Sequence, residues 1–226
     1  MVKIDKRKKY MLVLDTETTN DIDQPLVYDF GFSVVDKKGN IYESYRVLIK
    51  EIFLDEMEMM KTAYYADKLP QYWAEVYSGK LEIVSLYVAR EQMLKMMKKY
   101  GIDTVCAYNC RFDVLALNTT QRWLTKSKYR YFFPYNTTFY CIHQMAKDTL
   151  CKQKMYDVFC ETYEFKTAHK TPRNKTSAEV VYRYLINDPL YVESHTALDD
   201  VLIETEIMAL CFRQHKKMRK EIFSRK

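Results

Sequence analysis

The sequence predicts an α/β domain in which helices cover a mixed β-sheet. Three observations support this class: a β-hairpin pattern near the N-terminus, short apolar runs typical of buried strands, and amphipathic segments that alternate with those runs. The chain has 226 residues, of which 48% are hydrophobic. At this length folding buries roughly 70% of the unfolded surface, so one domain with its own core is expected. No repeat or linker divides the chain, and we place the core at about residues 10–212.

The first strand is predicted over residues 10–15, an apolar run (YMLVLD) that ends in an acid. Residues 28–36 and 41–49 flank the sequence Lys37-Lys38-Gly39-Asn40, which is typical of a hairpin turn. The chain therefore begins with three strands in succession, the last two of them antiparallel neighbours.

The remainder of the chain alternates between helix and strand patterns. Residues 104–108 (TVCAY) and 138–142 predict two more strands. Helical periodicity is present in five segments, which are residues 52–68, 84–100, 112–124, 177–185 and 197–212. For residues 143–175 we expect loops and short helices.

Composition excludes several classes of protein. The four glycines (Gly31, Gly39, Gly79 and Gly101) are too far apart to form a Walker-type phosphate loop or a dinucleotide-binding fingerprint. No apolar run reaches the ~18 residues of a membrane span, and the first residues lack the apolar stretch of a signal peptide. We therefore expect a soluble, cytoplasmic protein that does not bind membranes.

The six cysteines do not form a metal-binding pattern. No C-x-x-C pair occurs among them, and their spacings match no zinc motif. A disulfide framework is not expected without a secretion signal. Reduced and mostly buried thiols are the prediction.

Positive charge is concentrated at the two ends of the chain. The net charge is +6, yet residues 1–10 carry +4 and residues 213–226 carry +6, so the body between them carries −4. Basic tails attract polyanions such as nucleic acid, or they keep a chain in solution without a specific partner. Clustered carboxylates that hold cations would explain the acidic body.

Two groups of acids follow predicted strands. Asp15 and Glu17 point to the same side, because side chains alternate along a strand. Asn109 follows the strand at 104–108, and Asp113 then falls in the first turn of a helix. An acid there also suits the helix dipole, and Asn109 could serve as a helix cap, so each feature alone has an ordinary structural explanation.

A third acidic group opens the C-terminal helix. His195 precedes the helix and is expected in a loop, free to approach the site that Asp200 lines. Asp199 shares its stripe with Glu206 and Arg213, a polar face, whereas Asp200 shares its stripe with the apolar residues Ile203, Ile207 and Cys211. Asp200 is therefore predicted to be the internal acid.

These three groups together resemble the motifs of one enzyme family. The motifs are Asp15-x-Glu17, Asn109-x-x-Phe112-Asp113 and His195-x-Ala197-x-x-Asp200. In this order, and on these elements, they resemble the DEDDh-type 3′–5′ exonucleases of the DnaQ-like superfamily, which have a ribonuclease H-like fold. Proofreading subunits of polymerases, ribonuclease T and oligoribonuclease belong to that family. The long C-terminal helix, with Val192-Glu193-Ser194 before His195, looks most like small stand-alone bacteriophage exonucleases.

The resemblance implies a function for each motif residue. In the family, acids corresponding to Asp15, Glu17, Asp113 and Asp200 hold two Mg²⁺ or Mn²⁺ ions, and the histidine at His195 is the general base. These five residues form the catalytic set. The resemblance also suggests that Thr18, Asn109 and Phe112 hold the terminal nucleotide. It implies single-stranded DNA or frayed 3′ ends as substrate, with 5′-mononucleotides as products. It further implies a role in replication, proofreading or nucleotide salvage, an optional DNA polymerase partner, and the host cytoplasm as location if a phage encodes the chain.

The sequence departs from the family pattern at two positions. Asn20 stands where the family often has Gly, and Tyr108 stands where it often has His. Neither change removes a predicted catalytic group, although both concern loop conformation and substrate contacts. Three alternatives stay open: an exoribonuclease of the same family, a non-catalytic module that binds nucleic acid or a polymerase, and an endonuclease or polymerase accessory subunit.

Overall fold

A seven-stranded mixed β-sheet forms the centre of the computed structural model, which describes residues 4–5 and 7–225. Its strands are β1 (Tyr10–Thr19), β2 (Leu26–Asp36), β3 (Ile41–Ile49), β4 (Glu82–Val84), β5 (Thr104–Ala107), β6 (Thr137–Cys141) and β7 (Glu221–Arg225). They lie in the order β4-β3-β2-β1-β5-β6-β7. The β1/β2, β2/β3 and β6/β7 pairs are antiparallel, and β3/β4, β1/β5 and β5/β6 are parallel. The mixed sheet confirms the predicted fold class.

Helices cover both faces of this sheet. They are α1 (Lys50–Phe53), α2 (Met57–Met60), α3 (Leu69–Tyr77), α4 (Leu86–Tyr100), α5 (Cys110–Thr125), α6 (Ile142–Thr149), α7 (Lys154–Thr162), α8 (Ala178–Ile186) and α9 (Ala197–Arg213), with a short 3₁₀ helix at Ala66–Lys68. The alternation along β1 divides the core into two layers. Leu12 and Leu14 pack into the layer with α4 and α5, whereas Met11 and Val13 pack into the layer with α6–α9. Asp15 and Glu17 continue the second series at the end of the strand.

Most predicted elements occur where they were expected. The hairpin of β2 and β3 turns at Gly39, whose φ is 86°. The helix α4 begins at the cap Ser85, whose hydroxyl accepts from the Val88 N–H, and it ends at Gly101 in the left-handed conformation. The two short helices α6 and α7 lie in the region expected to hold loops and short helices. The strand β4 and the helix α3 were not predicted.

The helix predicted over residues 52–68 is wrong, because the segment is broken into α1, α2 and the 3₁₀ helix. The Met59 carbonyl oxygen explains one break. It accepts hydrogen bonds from the hydroxyls of Thr19 and Thr62, and the Ala63 N–H turns to the Met60 carbonyl oxygen instead. A continuous α-helix would need the Ala63 N–H at the Met59 oxygen, so contact with β1 redirects the chain.

The C-terminal segment, predicted as a basic tail, contains a β-strand. Residues 221–225 form β7 against β6, and the Phe223 ring stacks on Phe139 with centroids 4.5 Å apart. The pattern was missed because its apolar residues are few and lie among charges. Lys3, Lys6 and Lys226, which contribute to the predicted tails, lie outside the described residues.

The cysteines confirm the predicted thiols. All six are free; five are buried and Cys151 is half-buried. The only cluster of metal-ligating side chains found in the described part of the chain consists of carboxylates and contains no cysteine. Among residues 4–5 and 7–225, no helix combines the length and the apolar character that crossing a membrane requires.

Candidate active site

An acidic pocket opens beyond the end of β5, against the second half of β1. The two strands are parallel neighbours, so their carboxyl ends meet at the same edge of the sheet. The pocket has a volume of about 220 Å³ and is lined by Asp15, Thr16, Glu17, Tyr65, Tyr108, Asn109, Phe112, Asp113, Ala178, Glu193, His195, Asp200 and Glu204. The structure thus brings all five residues of the predicted catalytic set into one place.

Three carboxylates converge most closely. Asp15, Glu17 and Asp200 each offer an oxygen that lies within 4.8 Å of the other two. Asp200 is only 8% exposed, and its buried Oδ1 has no hydrogen-bond partner among the described residues. Because buried polar atoms are nearly always paired, an unpaired carboxylate oxygen among like charges fits a cation ligand.

A close approach between β2 and α9 makes this convergence possible. Gly31 pairs with Asp15 in the sheet, and a Cβ at Gly31 would lie 2.7 Å from the backbone of Ala197. The first N–H of the helix, at Ala197, donates to Asp29 at 3.3 Å. Asp29 is fully buried and pairs with Arg46 at 2.9 Å. The helix that carries Asp200 is therefore anchored directly on the strand beside Asp15.

Asp113 occupies the first turn of α5, as predicted, and is buried at the wall of the pocket. Its carboxylate accepts a hydrogen bond of 2.9 Å from the Thr16 hydroxyl. Thr16 lies between the two acids of β1. This bond fixes the start of α5 to the strand, so Asp113 faces the other carboxylates across the pocket.

Sequence reasoning missed Glu204, a further carboxylate in the pocket. It lies one helical turn after Asp200, is 3% exposed, and accepts a 3.0 Å hydrogen bond from the Tyr108 N–H. The signal was available, because Glu204 belongs to the same inward stripe of α9 as Asp200 and Ile203. Asp199, in contrast, is exposed, which confirms the choice between the two adjacent aspartates.

His195 lies in the loop before α9, as predicted. Its backbone has φ 51°, and its ring stacks on Tyr65 with centroids 4.5 Å apart and planes 18° apart. Nδ1 lies 3.7 Å from a carboxylate oxygen of Glu193. The imidazole is thus held over the pocket by a ring on one side and an acid on the other.

The surroundings shift the proton affinities of the site. Burial raises the pKa of Glu17 to about 9 and that of Asp200 to about 8, and the negative charges of neighbouring carboxylates add to both shifts. Burial also raises the pKa of Asp113 to about 7. Lys68 opposes the shift at Glu17 and Asp200 and donates to the Ser194 carbonyl oxygen. Burial first, and Lys68 second, lower the pKa of His195, which favours a neutral ring at neutral pH.

The predicted substrate-binding residues are placed differently. Asn109 and Phe112 line the pocket, whereas Thr18 is not among the described residues that do so. The register of β1 against β2 shifts between Glu17 and Thr18. Asn20, where the family often has Gly, adopts φ 69°, a conformation that asparagine tolerates. The Tyr108 hydroxyl donates to the Thr176 carbonyl oxygen at 2.6 Å, so this side chain points away along the wall rather than into the site.

No protein-family model matches the sequence, and a comparison with curated proteins finds no relative. Solved structures do match the fold. Cell-death related nuclease 4 (CRN-4) has a TM-score of 0.52 and 14% identity, covering 94% of this chain and 67% of that chain. E. coli exonuclease I in complex with a 5cy-dA13 oligonucleotide has a TM-score of 0.55 and 12% identity, covering 92% and 41%. Its zinc-bound complex with single-stranded DNA has a TM-score of 0.54 and 11% identity, covering 92% and 42%.

The chain therefore spans about two thirds of CRN-4 and about two fifths of the exonuclease I chains. At such low identities the likeness concerns the fold. That fold is the ribonuclease H-like mixed sheet flanked by helices, as the sequence predicted.

Proposed function

We propose that this chain is a metal-dependent 3′–5′ exonuclease. It hydrolyses phosphodiester bonds of single-stranded DNA or frayed 3′ ends and releases 5′-mononucleotides. The observation that carries the proposal is the convergence of Asp15, Glu17 and Asp200, with one buried carboxylate oxygen left without a donor. The fold shared with exonuclease I, whose solved complexes contain single-stranded DNA, supports it.

The carboxylates fit hard divalent cations. Mg²⁺ and Mn²⁺ prefer oxygen ligands, and the pocket offers carboxylates in excess of its positive charges. Asp15, Glu17 and Asp200, with Asp113 beside them, are the residues that would hold two such ions. When bound, two divalent ions supply an acidified water and neutralise charge on the phosphate and on the leaving oxygen.

Other residues of the pocket would act on the water and on the nucleotide. His195, held by Tyr65 and neutral at physiological pH, accepts the proton of the attacking water. Asn109 and Phe112 line the wall of the pocket, where they hold the terminal nucleotide. The contact from the backbone around Thr18 rests on the family resemblance alone. The scissile phosphate then lies among the four acids.

The test uses 5′-labelled single-stranded DNA and RNA of one sequence, incubated with Mg²⁺, Mn²⁺ or EDTA. We expect a ladder that shortens from the 3′ end, is lost in EDTA and forms faster on DNA. A faster ladder on RNA would identify an exoribonuclease instead. Cleavage of neither substrate, with metal bound normally, would indicate a non-catalytic binding module or an enzyme that lacks a required partner. Because the chain is tested alone, cleavage would show that activity does not need a polymerase partner.

Substitutions test the assignments within the pocket. Asp15→Asn and Asp200→Asn are expected to abolish cleavage while circular dichroism shows an intact fold. The matched control is Asp23→Asn, because that exposed aspartate does not line the pocket and should keep most of the turnover. His195→Ala should lower kcat by about 10²–10⁴-fold but still bind Mn²⁺. Turnover of Asp200→Asn near that of the wild type would refute the metal site.

A further inference from the structure

A basic groove lies beside the acidic pocket, between α6 and the loop that joins α7 to α8. Its volume is about 590 Å³. Lys147 comes from α6, and His169, Lys170 and Arg173 come from the loop, with threonine hydroxyls between them. None of the described residues that line this groove is an acid.

The positive charges of the groove are available to a ligand. Lys147, Lys170 and Arg173 are exposed, and none of them forms a salt bridge within the described part of the chain. The loop itself is closed by internal hydrogen bonds. The Thr167 N–H donates to the Arg173 carbonyl oxygen at 2.8 Å, and the Arg173 N–H donates to the Thr167 hydroxyl at 3.1 Å. The cations are thus presented by a braced turn.

Thr176 connects the groove to the acidic pocket. It lines the groove, and its carbonyl oxygen accepts from the hydroxyl of Tyr108, a residue of the pocket wall. Its hydroxyl lies 2.8 Å from Nε2 of His143, whose ring stacks on Tyr108. The groove and the acidic pocket therefore share one wall. A nucleic-acid strand that leaves the pocket over Tyr108 reaches the basic side chains of the groove.

A second basic depression is a weaker candidate. It is lined by Lys8, Lys9, Lys37 and Lys38 but contains Asp36, which pairs with Lys8 at 3.6 Å. It also lies at the opposite end of β1 from the acids, because Asp36 pairs with Tyr10 in the sheet. Its charge is partly neutralised, and no described contact links it to the pocket.

We propose that the groove of Lys147, Lys170 and Arg173 binds the phosphodiester backbone upstream of the terminal nucleotide, on the same strand whose 3′ end occupies the acidic pocket. This inference rests on the proposed function. Lysine and arginine bind phosphates without regard to base sequence, so the groove favours long strands over short ones and accepts any sequence. The acidic pocket itself would repel the backbone in the absence of cations, and the groove offsets that repulsion.

The test is the double variant Lys170→Glu/Arg173→Glu, with Lys95→Glu/Lys98→Glu on the exposed face of α4 as a control of equal charge change. Binding of a labelled single strand of about 12 nucleotides is measured in EDTA over a range of salt concentrations. We expect binding to weaken about tenfold or more and the slope of log K against log salt to fall by about two. The control should change neither quantity by a comparable amount.

Hydrolysis in Mg²⁺ separates this inference from the proposed function. The groove variant should raise KM for the long strand and leave turnover of a dinucleotide unchanged, since a dinucleotide does not reach the loop. If the salt slope is unchanged, or if hydrolysis of both substrates falls equally, the groove does not bind the strand, even where the wild-type chain hydrolyses it well. If the wild-type chain binds strands but cleaves neither substrate, the exonuclease proposal is refuted. The salt slope would then still show whether the groove binds the strand.

Discussion

Glu17 and Asp200 bind protons more tightly in the folded chain than in the unfolded one. Their pKa values are about 9 and about 8 in the pocket, against ~4 for free carboxyls. Between those limits the native state holds more protons than the unfolded state. Stability therefore falls as the pH rises from about 4 to about 9, and it levels off above that range.

We expect the metal-free protein to lose at least about 1 kcal/mol between pH 5 and pH 8, or about 2–4 °C in Tm at this chain length. Thermal unfolding in EDTA measures this change. Asp200→Asn should flatten the dependence, whereas Asp23→Asn, at an exposed position, should not. Added Mn²⁺ should raise Tm more at pH 8 than at pH 6, because binding displaces the protons. A metal-free Tm that increases over this range would contradict the electrostatics of the pocket.

Glu204 offers a second test at the residue scale. Its carboxyl group accepts the Tyr108 N–H and is almost fully buried. Glu204→Ala should leave that donor unsatisfied and lower the free energy of unfolding by about 1–3 kcal/mol. Glu204→Gln keeps an acceptor oxygen and removes the charge, so its loss should be smaller. Chemical denaturation compares the two, and equal losses would show that the hydrogen bond does not matter.

At the scale of elements, the close approach of α9 to β2 positions Asp200 in the site. Gly31→Ala would place a methyl group 2.7 Å from the helix backbone, with no flexible side chain to move aside. We expect the helix to shift, with a loss of about 1–3 kcal/mol in stability and a marked fall in turnover. The same change at Gly79, which has nothing within 4 Å, should cost about 1 kcal/mol from its positive φ and leave turnover intact. Normal activity of Gly31→Ala would show that the geometry of the site does not depend on this contact.

At the scale of the whole molecule, the C-terminal segment combines positive charge with a β-strand, and the sequence pattern does not separate the two. Deletion of residues 213–226 is expected to weaken nucleic-acid binding and its salt dependence, but it also removes β7 and exposes Phe139. Lys216→Glu/Lys217→Glu changes only exposed charge. We expect this variant to keep its Tm and to bind single-stranded DNA with a smaller salt slope. An unchanged slope would assign these lysines to solubility alone.

The sequence determined the features that depend on local periodicity. Alternation along β1 put Asp15 and Glu17 on one side, and the helical stripe selected Asp200 over Asp199, because burial of one face imposes its period on the residues of that element. The order of the three motifs then indicated a ribonuclease H-like fold, which the sheet topology confirms.

Only the tertiary structure decided which faces meet. The stack of Tyr65 on His195, the bond from Tyr108 to Glu204 and the link from Tyr108 to Thr176 join segments far apart in the chain. The break in the helix predicted over 52–68 has the same origin, because the Thr19 hydroxyl of β1 donates to the Met59 carbonyl oxygen, which a continuous helix would need as an acceptor. Periodicity shows that a face is buried, but not against what, and these contacts follow from the packing of distant elements.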